Sequence, residues 1–169
     1  MQIRALTEAD AAIYQALRLR SLQDAPEAFG KSYEEEAGRR LDEVTKVLTA
    51  NGSDNITLGA FDEGGTLVGI VNLQRYQLIK MRHKAAIGGM FVASEARGQG
   101  VGKALMERAL ELGREMEGIE QISLWVSGNN PAARGLYAAC GFEYCGGEPR
   151  GLKLGNRYVD LELMVLRLD

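Results

Sequence analysis

The spacing of apolar residues changes period several times along this chain, and each change predicts an element. Residues 2–6 alternate as a short strand. Thr7, with Asp10 three positions on, has the form of a capping box for a helix that reaches about Asp24. Ile13, Ala16 and Leu17 form its inner stripe, and Ala25-Pro26 stops it. A second helix is predicted over residues 32–50, with Leu41, Val44 and Leu48 on one face and Asn51-Gly52 as its end. The period then shortens to two. Residues 55–61 and 66–77 read as a hairpin joined by Asp62-Glu63-Gly64-Gly65, and residues 84–92 as the next strand. From 100 to 117 the period is helical again, with Val101, Ala104, Leu105, Ala109, Leu112 and Met116 on one side. A buried strand follows at 121–126. Asn130-Pro131 then opens a helix as N-cap and first helical residue, and Gly141 ends it in the left-handed region. Residues 142–145 and 157–168 read as strands around a glycine-rich loop at 146–155. The order βααβββαβαββ predicts one mixed α/β domain spanning residues 1–169.

Composition narrows the function classes. The 169 residues are 46% hydrophobic and 25% charged, enough apolar material for a core without staples. A net charge of −3 argues against broad nucleic-acid or membrane-surface binding, which needs a basic face. No apolar run reaches the ~18–20 residues of a membrane span, and the first ten residues carry charges where a signal peptide needs its apolar region. Cys140 and Cys145 with one histidine make neither a disulfide scaffold nor a zinc site, so the expectation is a reducing, cytoplasmic setting with no metal. The 21 glycines, about 12% against an ordinary ~7%, are the departure from average.

Several of those glycines cluster where a strand meets an amphipathic helix, in Arg97-Gly98-Gln99-Gly100-Val101-Gly102-Lys103. Such a turn lets backbone N–H groups point inward, and the helix that follows directs its unsatisfied N–H groups and positive dipole end to the same spot. The result is either a tight connection or a phosphate site, to which Arg97 and Lys103 can add charge. Counting rejects two common phosphate loops. A Walker loop needs Gly at 97 and Ser or Thr at 104; a dinucleotide fingerprint begun at Gly98 needs Gly or Ala at 103. A nucleotide-binding regulatory domain is weakened accordingly. Gly88-Gly89, inside an otherwise good strand, marks a bulge or a close backbone approach just before the turn.

Arg97-x-x-Gly100-x-Gly102 resembles the acyl-CoA signature of the GNAT superfamily of N-acyltransferases. Asn130-x-x-Ala133-x-x-Leu136-Tyr137-x-x-x-Gly141-Phe142 is similar to that superfamily's second motif. The two together cover residues 86–142 closely; the first 50 residues follow the element order alone. The resemblance implies a twisted mixed sheet whose fourth and fifth strands splay apart, with acetyl-CoA as co-substrate in the gap. It implies that amides of Gly98, Gln99, Gly100, Val101, Gly102 and Lys103 hold the pyrophosphate. Met90, Phe91 and Val92 would pair with the pantetheine as an added strand does, and an amide near Met90 would stabilise an oxyanion. Asn130 would touch the pantetheine or cap its helix, Ala133 would line the same wall, and Tyr137 would face the thioester sulfur or simply pack. Phe29-Gly30, Tyr33 and the loop at 146–155 would line an acceptor groove.

The implied reaction is direct attack of a primary amine on the thioester. An amine of pKa ~10.4 is neutral in only about 1 part in 2,500 at pH 7, a penalty near 4–5 kcal/mol. Many relatives place an acidic residue on the fourth strand, but Ala85-Ala86-Ile87-Gly88-Gly89-Met90 has none. Glu34, Glu35 and Glu36 are candidates for a base acting through water, or a solvated first helical turn. His83 reads as surface, Trp125 as core, and both cysteines as buried thiols. The expected activity is an N-acetyltransferase on a small-molecule or peptide amine, with a catalytically silent acyl-CoA-binding module as the alternative. Abundant acids favour a cationic acceptor or merely solubilise the surface. Dimers recur in the superfamily, and no residue here requires one.

Overall fold

The computed structural model describes residues 1–50 and 52–168, so the expected helix end at Asn51 lies outside the described residues. Seven strands, β1 (Gln2–Ala5), β2 (Asn55–Phe61), β3 (Leu67–Arg75), β4 (Lys84–Val92), β5 (Gln121–Ser127), β6 (Glu143–Leu154) and β7 (Arg157–Arg167), form one sheet in the order β1-β2-β3-β4-β5-β7-β6. Every neighbouring pair is antiparallel except β4 and β5. Helices α1 (Ala11–Asp24), α2 (Tyr33–Ala37) and α3 (Leu41–Thr49) precede the sheet's long hairpins; α4 (Val101–Glu115) crosses from β4 to β5, and α5 (Pro131–Ala139) links β5 to β6. The mixed α/β class expected from the apolar periods is the one observed.

Two cores result. Leu105, Met106 and Ala109 of α4 are sealed against Val71, Leu73 and Ile122 of the sheet, all at or near zero exposure. The opposite face carries Leu17 and Leu22 of α1 and Val44 and Leu48 of α3 against Ile70 and Phe91. Thr7 and Asp10 do close a capping box, but over a single 3₁₀ turn before α1 begins. Arg4 also gives Asp10 two hydrogen bonds, of 2.7 and 2.8 Å.

Several expectations need correction. The helix foreseen at 32–50 is two helices broken at Gly38. Each has its own N-terminal reciprocal bond: Ser32 N–H donates to Glu35 and Arg40 N–H to Glu43. Ile13 and Leu41, assigned to inner stripes, are 45% and 47% exposed. On α1 the buried face is carried by Leu17, Ser21 and Leu22, and the Ser21 hydroxyl satisfies itself on the Arg18 carbonyl at 2.6 Å. The expected loop at 146–155 is mostly strand, because β7 supplies ladder partners to residues 143–154 through two register shifts.

Candidate active site

The parallel pairing of β4 with β5 runs from Lys84↔Gln121 to Ile87↔Leu124 and stops there, although β4 continues to Val92 and β5 to Ser127. Beyond Ile87 the two strands diverge. The reason lies in the pairing with β3, where Ile70 faces Phe91 and Asn72 faces Gly88. Val71 therefore opposes two residues, Gly89 and Met90, which is a bulge in β4. Gly89 takes φ +61°, in the left-handed region that a side chain would strain. A Cβ on Gly88 or Gly89 would meet nothing within 4 Å, so open space lies beside the bulge.

A cleft of about 690 Å³ occupies the divergence, within the range of small-molecule sites. Ala93 donates to Val68 across the β3 pairing at 2.9 Å. Val92, one residue earlier, turns its carbonyl the other way, where it accepts from Arg97 Nε at 3.0 Å. At one end of the cleft, Gly98 and Gly100 take φ +74° and +79° and lead directly into α4. Residues 97–103, except Gln99, line this end; the Gln99 side chain instead donates to the Glu95 carbonyl at 3.0 Å. Gly102 matters for approach: a Cβ there would stand 3.3 Å from Met90 Cε and 3.4 Å from Leu136 Cδ2. Arg97 spends only its Nε on Val92, and Lys103 meets Glu107 at a loose 3.7 Å. The arrangement is a nest of backbone donors at a helix N-terminus with two cations at its rim, suited to a pyrophosphate.

The opposite wall is the start of α5. Asn130 Oδ1 accepts from Ala133 N–H at 3.0 Å, so this side chain caps the helix, and both residues also line the cleft. Gly141, at φ +93°, ends the helix as its Asn-Pro start and Gly stop predict, with Phe142 N–H donating to the Tyr137 carbonyl at 3.0 Å. The Tyr137 ring is 7% exposed and meets Phe142 edge-on with centroids 6.3 Å apart. Burial, with the Cys140 thiol beside it, pushes the phenol up to about 12. Burial also raises the Cys140 thiol. The Tyr137 hydroxyl has no hydrogen-bond partner among the described residues, and Tyr137 lines the cleft.

Glu35 and Glu36, the sequence-level candidates for a base, are not among the cleft-lining residues. A Glu35 oxygen accepts from Ser32 N–H at 2.7 Å. Glu36 is 7% exposed and held by Lys31 at 2.8 Å and Arg39 at 3.1 Å. Burial resists its ionisation, but the hydrogen bonds from Lys31 and Arg39 outweigh it and hold the carboxyl below the ordinary range. Trp125 corrects another expectation: it is 50% exposed and lines the cleft. Of the residues expected at an acceptor groove, Phe29 lines the cleft, while Gly30, Tyr33 and the 146–155 segment do not. Cys145 is exposed and not buried.

The carboxylates that the cleft does contain are Asp24 and Glu27, among the described residues. Sequence reasoning missed both. They come from the end of α1 and the 3₁₀ turn Pro26–Ala28, which crosses the gap to reach β5. The buried Ser127 hydroxyl hydrogen-bonds the Glu27 main-chain carbonyl there. A proline and two acids after a helix carry no local signal for that crossing.

The architecture has close counterparts. An acetyltransferase of the GNAT family from Streptococcus pneumoniae superposes with a TM-score of 0.90 at 26% identity, covering 99% of each chain. A ribosomal-protein-alanine N-acetyltransferase from Brucella melitensis gives 0.86 at 26% identity, covering 99% of this chain and 100% of that one. In sequence, the chain is 28% identical to a spermidine N(1)-acetyltransferase of Vibrio cholerae over 78% of its length and 76% of the relative's. It is 29% identical to an L-methionine sulfoximine/L-methionine sulfone acetyltransferase of Pseudomonas aeruginosa over 66% of its length and 64% of the relative's. The profile of the acetyltransferase (GNAT) family matches residues 17–142, a span that holds the bulged strand, the glycine turn and the tyrosine helix. The chain belongs to the acetyltransferase (GNAT) family.

Proposed function

We propose that the protein is an acetyl-CoA-dependent N-acetyltransferase that moves the acetyl group to a primary amine by direct attack. One observation carries this reading: the parting of β4 and β5 after Ile87 puts an open strand edge, an anion turn and a largely buried tyrosine along a single cleft. The names of its sequence relatives, a spermidine and a methionine sulfoximine acetyltransferase, support an amine as acceptor.

In this reading the turn at 97–103 receives the pyrophosphate, and the free edge of β4 over Met90, Phe91 and Val92 receives the pantetheine. The amine nitrogen attacks the thioester carbonyl carbon, and the oxyanion accepts from an amide at the β4 bulge. Collapse breaks the C–S bond and expels the CoA thiolate. Alignment of the two reactants is the main resource, worth ~7–11 kcal/mol in favourable cases. Tyr137 serves the leaving sulfur as a hydrogen-bond donor. Full proton transfer from a phenol near 12 to a thiolate of pKa ~8.5 would be uphill by about 3.5 units, or ~5 kcal/mol. One ammonium proton leaves to solvent before attack, at the ~4–5 kcal/mol set by pH 7. The second leaves to solvent from the cationic nitrogen of the tetrahedral intermediate, so that its collapse gives a neutral amide. Glu35 and Glu36 take no step in this sequence, being engaged elsewhere.

Thiol release from acetyl-CoA against amines, amino acids, aminoglycosides and peptide amino termini tests the reading. Release with one acceptor class supports it. Tight acetyl-CoA binding by calorimetry with no turnover favours a binding module, and failure to bind acetyl-CoA refutes it.

A further inference from the structure

The acceptor end of the cleft has charge of its own. Glu27 lines it, and its carboxylate has no structural duty: the main chain of the crossing segment is anchored through the Glu27 carbonyl, not its side chain. Among the described residues its one ionic neighbour, Arg157 of β7, stands at 3.8 Å with both side chains solvent-accessible. Such a rim contact holds a carboxylate weakly. The other charged group on this wall, Asp24, is drawn to Arg20 at 3.2 Å. Trp125 lines the same cleft and exposes half of its surface between buried Leu124 and Val126, where an indole face can take a cation. The cations lining the cleft, Arg97 and Lys103, belong to the anion turn at the other end.

A carboxylate that merely held the reacting ammonium would lose its partner when that nitrogen becomes neutral to attack. Attraction that lasts into the transition state needs a positive charge that is not consumed. We propose that Glu27, with the Trp125 ring lining the same cleft, selects acceptors carrying a second cationic group, so that the substrate class is a diamine or longer polycationic amine. This rests on the N-acetyltransferase reading above.

The test compares 1,4-diaminobutane with butylamine, which differ by the second ammonium. Wild-type kcat/KM is expected to favour the diamine by roughly 10- to 30-fold, the size of one charge-assisted contact at a partly exposed site. Glu27→Gln should raise the diamine KM by a similar factor, change kcat less than threefold and leave butylamine unaffected. Glu27→Asp should recover part of the loss. Acetyl-CoA affinity by calorimetry should be unchanged in both variants, since they leave the carbonyl anchor in place. Equal use of the two amines by the wild type, or an unaltered preference in Glu27→Gln, overturns the assignment while leaving the N-acetyltransferase reading intact. Acetyl-CoA binding with no acceptor consumed at all overturns both.

Discussion

Replacing Tyr137 by Phe isolates one atom. The ring is 7% exposed and packs edge-on against Phe142, contacts that phenylalanine keeps. The lost hydroxyl has no hydrogen-bond partner among the described residues, so no buried group is orphaned. Stability should therefore change by less than about 1 kcal/mol, and acetyl-CoA affinity by less than about threefold. Turnover should fall much further. Removing one donor aimed at developing charge costs ~10²–10³ in kcat, and about 10⁴ is the ceiling for a group that also moves a proton. With the phenol at about 12, a loss near the lower figure is expected, because Tyr137 is too weak an acid to protonate sulfur outright. Its pKa also predicts that wild-type kcat shows no falling limb from tyrosine ionisation below about pH 10. Single-turnover acetyl transfer measured from pH 6 to 10, with calorimetric affinity and thermal melting on the same samples, checks all of this. Turnover within threefold of wild type would remove Tyr137 from the mechanism, and a tenfold loss of acetyl-CoA affinity would make it a binding residue.

Other perturbations probe the scaffold. Gly100→Ala puts a side chain at φ +79°, which costs roughly 1–2 kcal/mol and tilts the anion nest; calorimetry should show acetyl-CoA binding weakened at least tenfold. Gly113→Ala would ordinarily strengthen a helix, but its Cβ would lie 2.5 Å from Ile122 Cδ1 in a sealed core, so denaturant melts should report a loss of about 1–3 kcal/mol. Asp10, held by Arg4 hydrogen bonds and the Thr7 amide, has its pKa lowered from 3.8 to about 2. Its contribution is complete above pH 4 and lost as the pH falls through 2. It amounts to about 2 kcal/mol at most, less what solvent screens around the half-exposed Arg4. Asp10→Asn should lower stability at pH 7 by up to that amount and flatten the acid limb between pH 4 and 2.

What was legible in the sequence follows from where each signal resides. The glycine turn, the β4 bulge and the ends of α5 were readable because each depends on local backbone geometry: Gly89, Gly98, Gly100 and Gly141 hold positive φ, and Asn130-Pro131 starts a helix by its own chemistry. These residues shape the half of the cleft to which the proposed function assigns recognition through backbone amides. The second half is made of side chains brought together from far apart. The strand alternation at Leu124-Trp125-Val126 puts Trp125 opposite its buried neighbours, but not what covers that face. The 146–155 segment reads as a loop from its glycines, and only the β7 ladder makes it a strand, with the Asp160 carboxylate accepting from Arg150 N–H at 2.7 Å where the register shifts. Glu27 is one acid among 23 until Ser127, a hundred positions away, draws its main chain across the gap. A donor held by amides can keep its binding site while the cleft-lining side chains at 24, 27 and 125 vary. On the proposed reading, that wall can change specificity without disturbing the turn that identifies the family. On the same reading, the family match speaks for acetyl-CoA, and the choice of amine has to be read from the crossing segment and the strand edge it reaches.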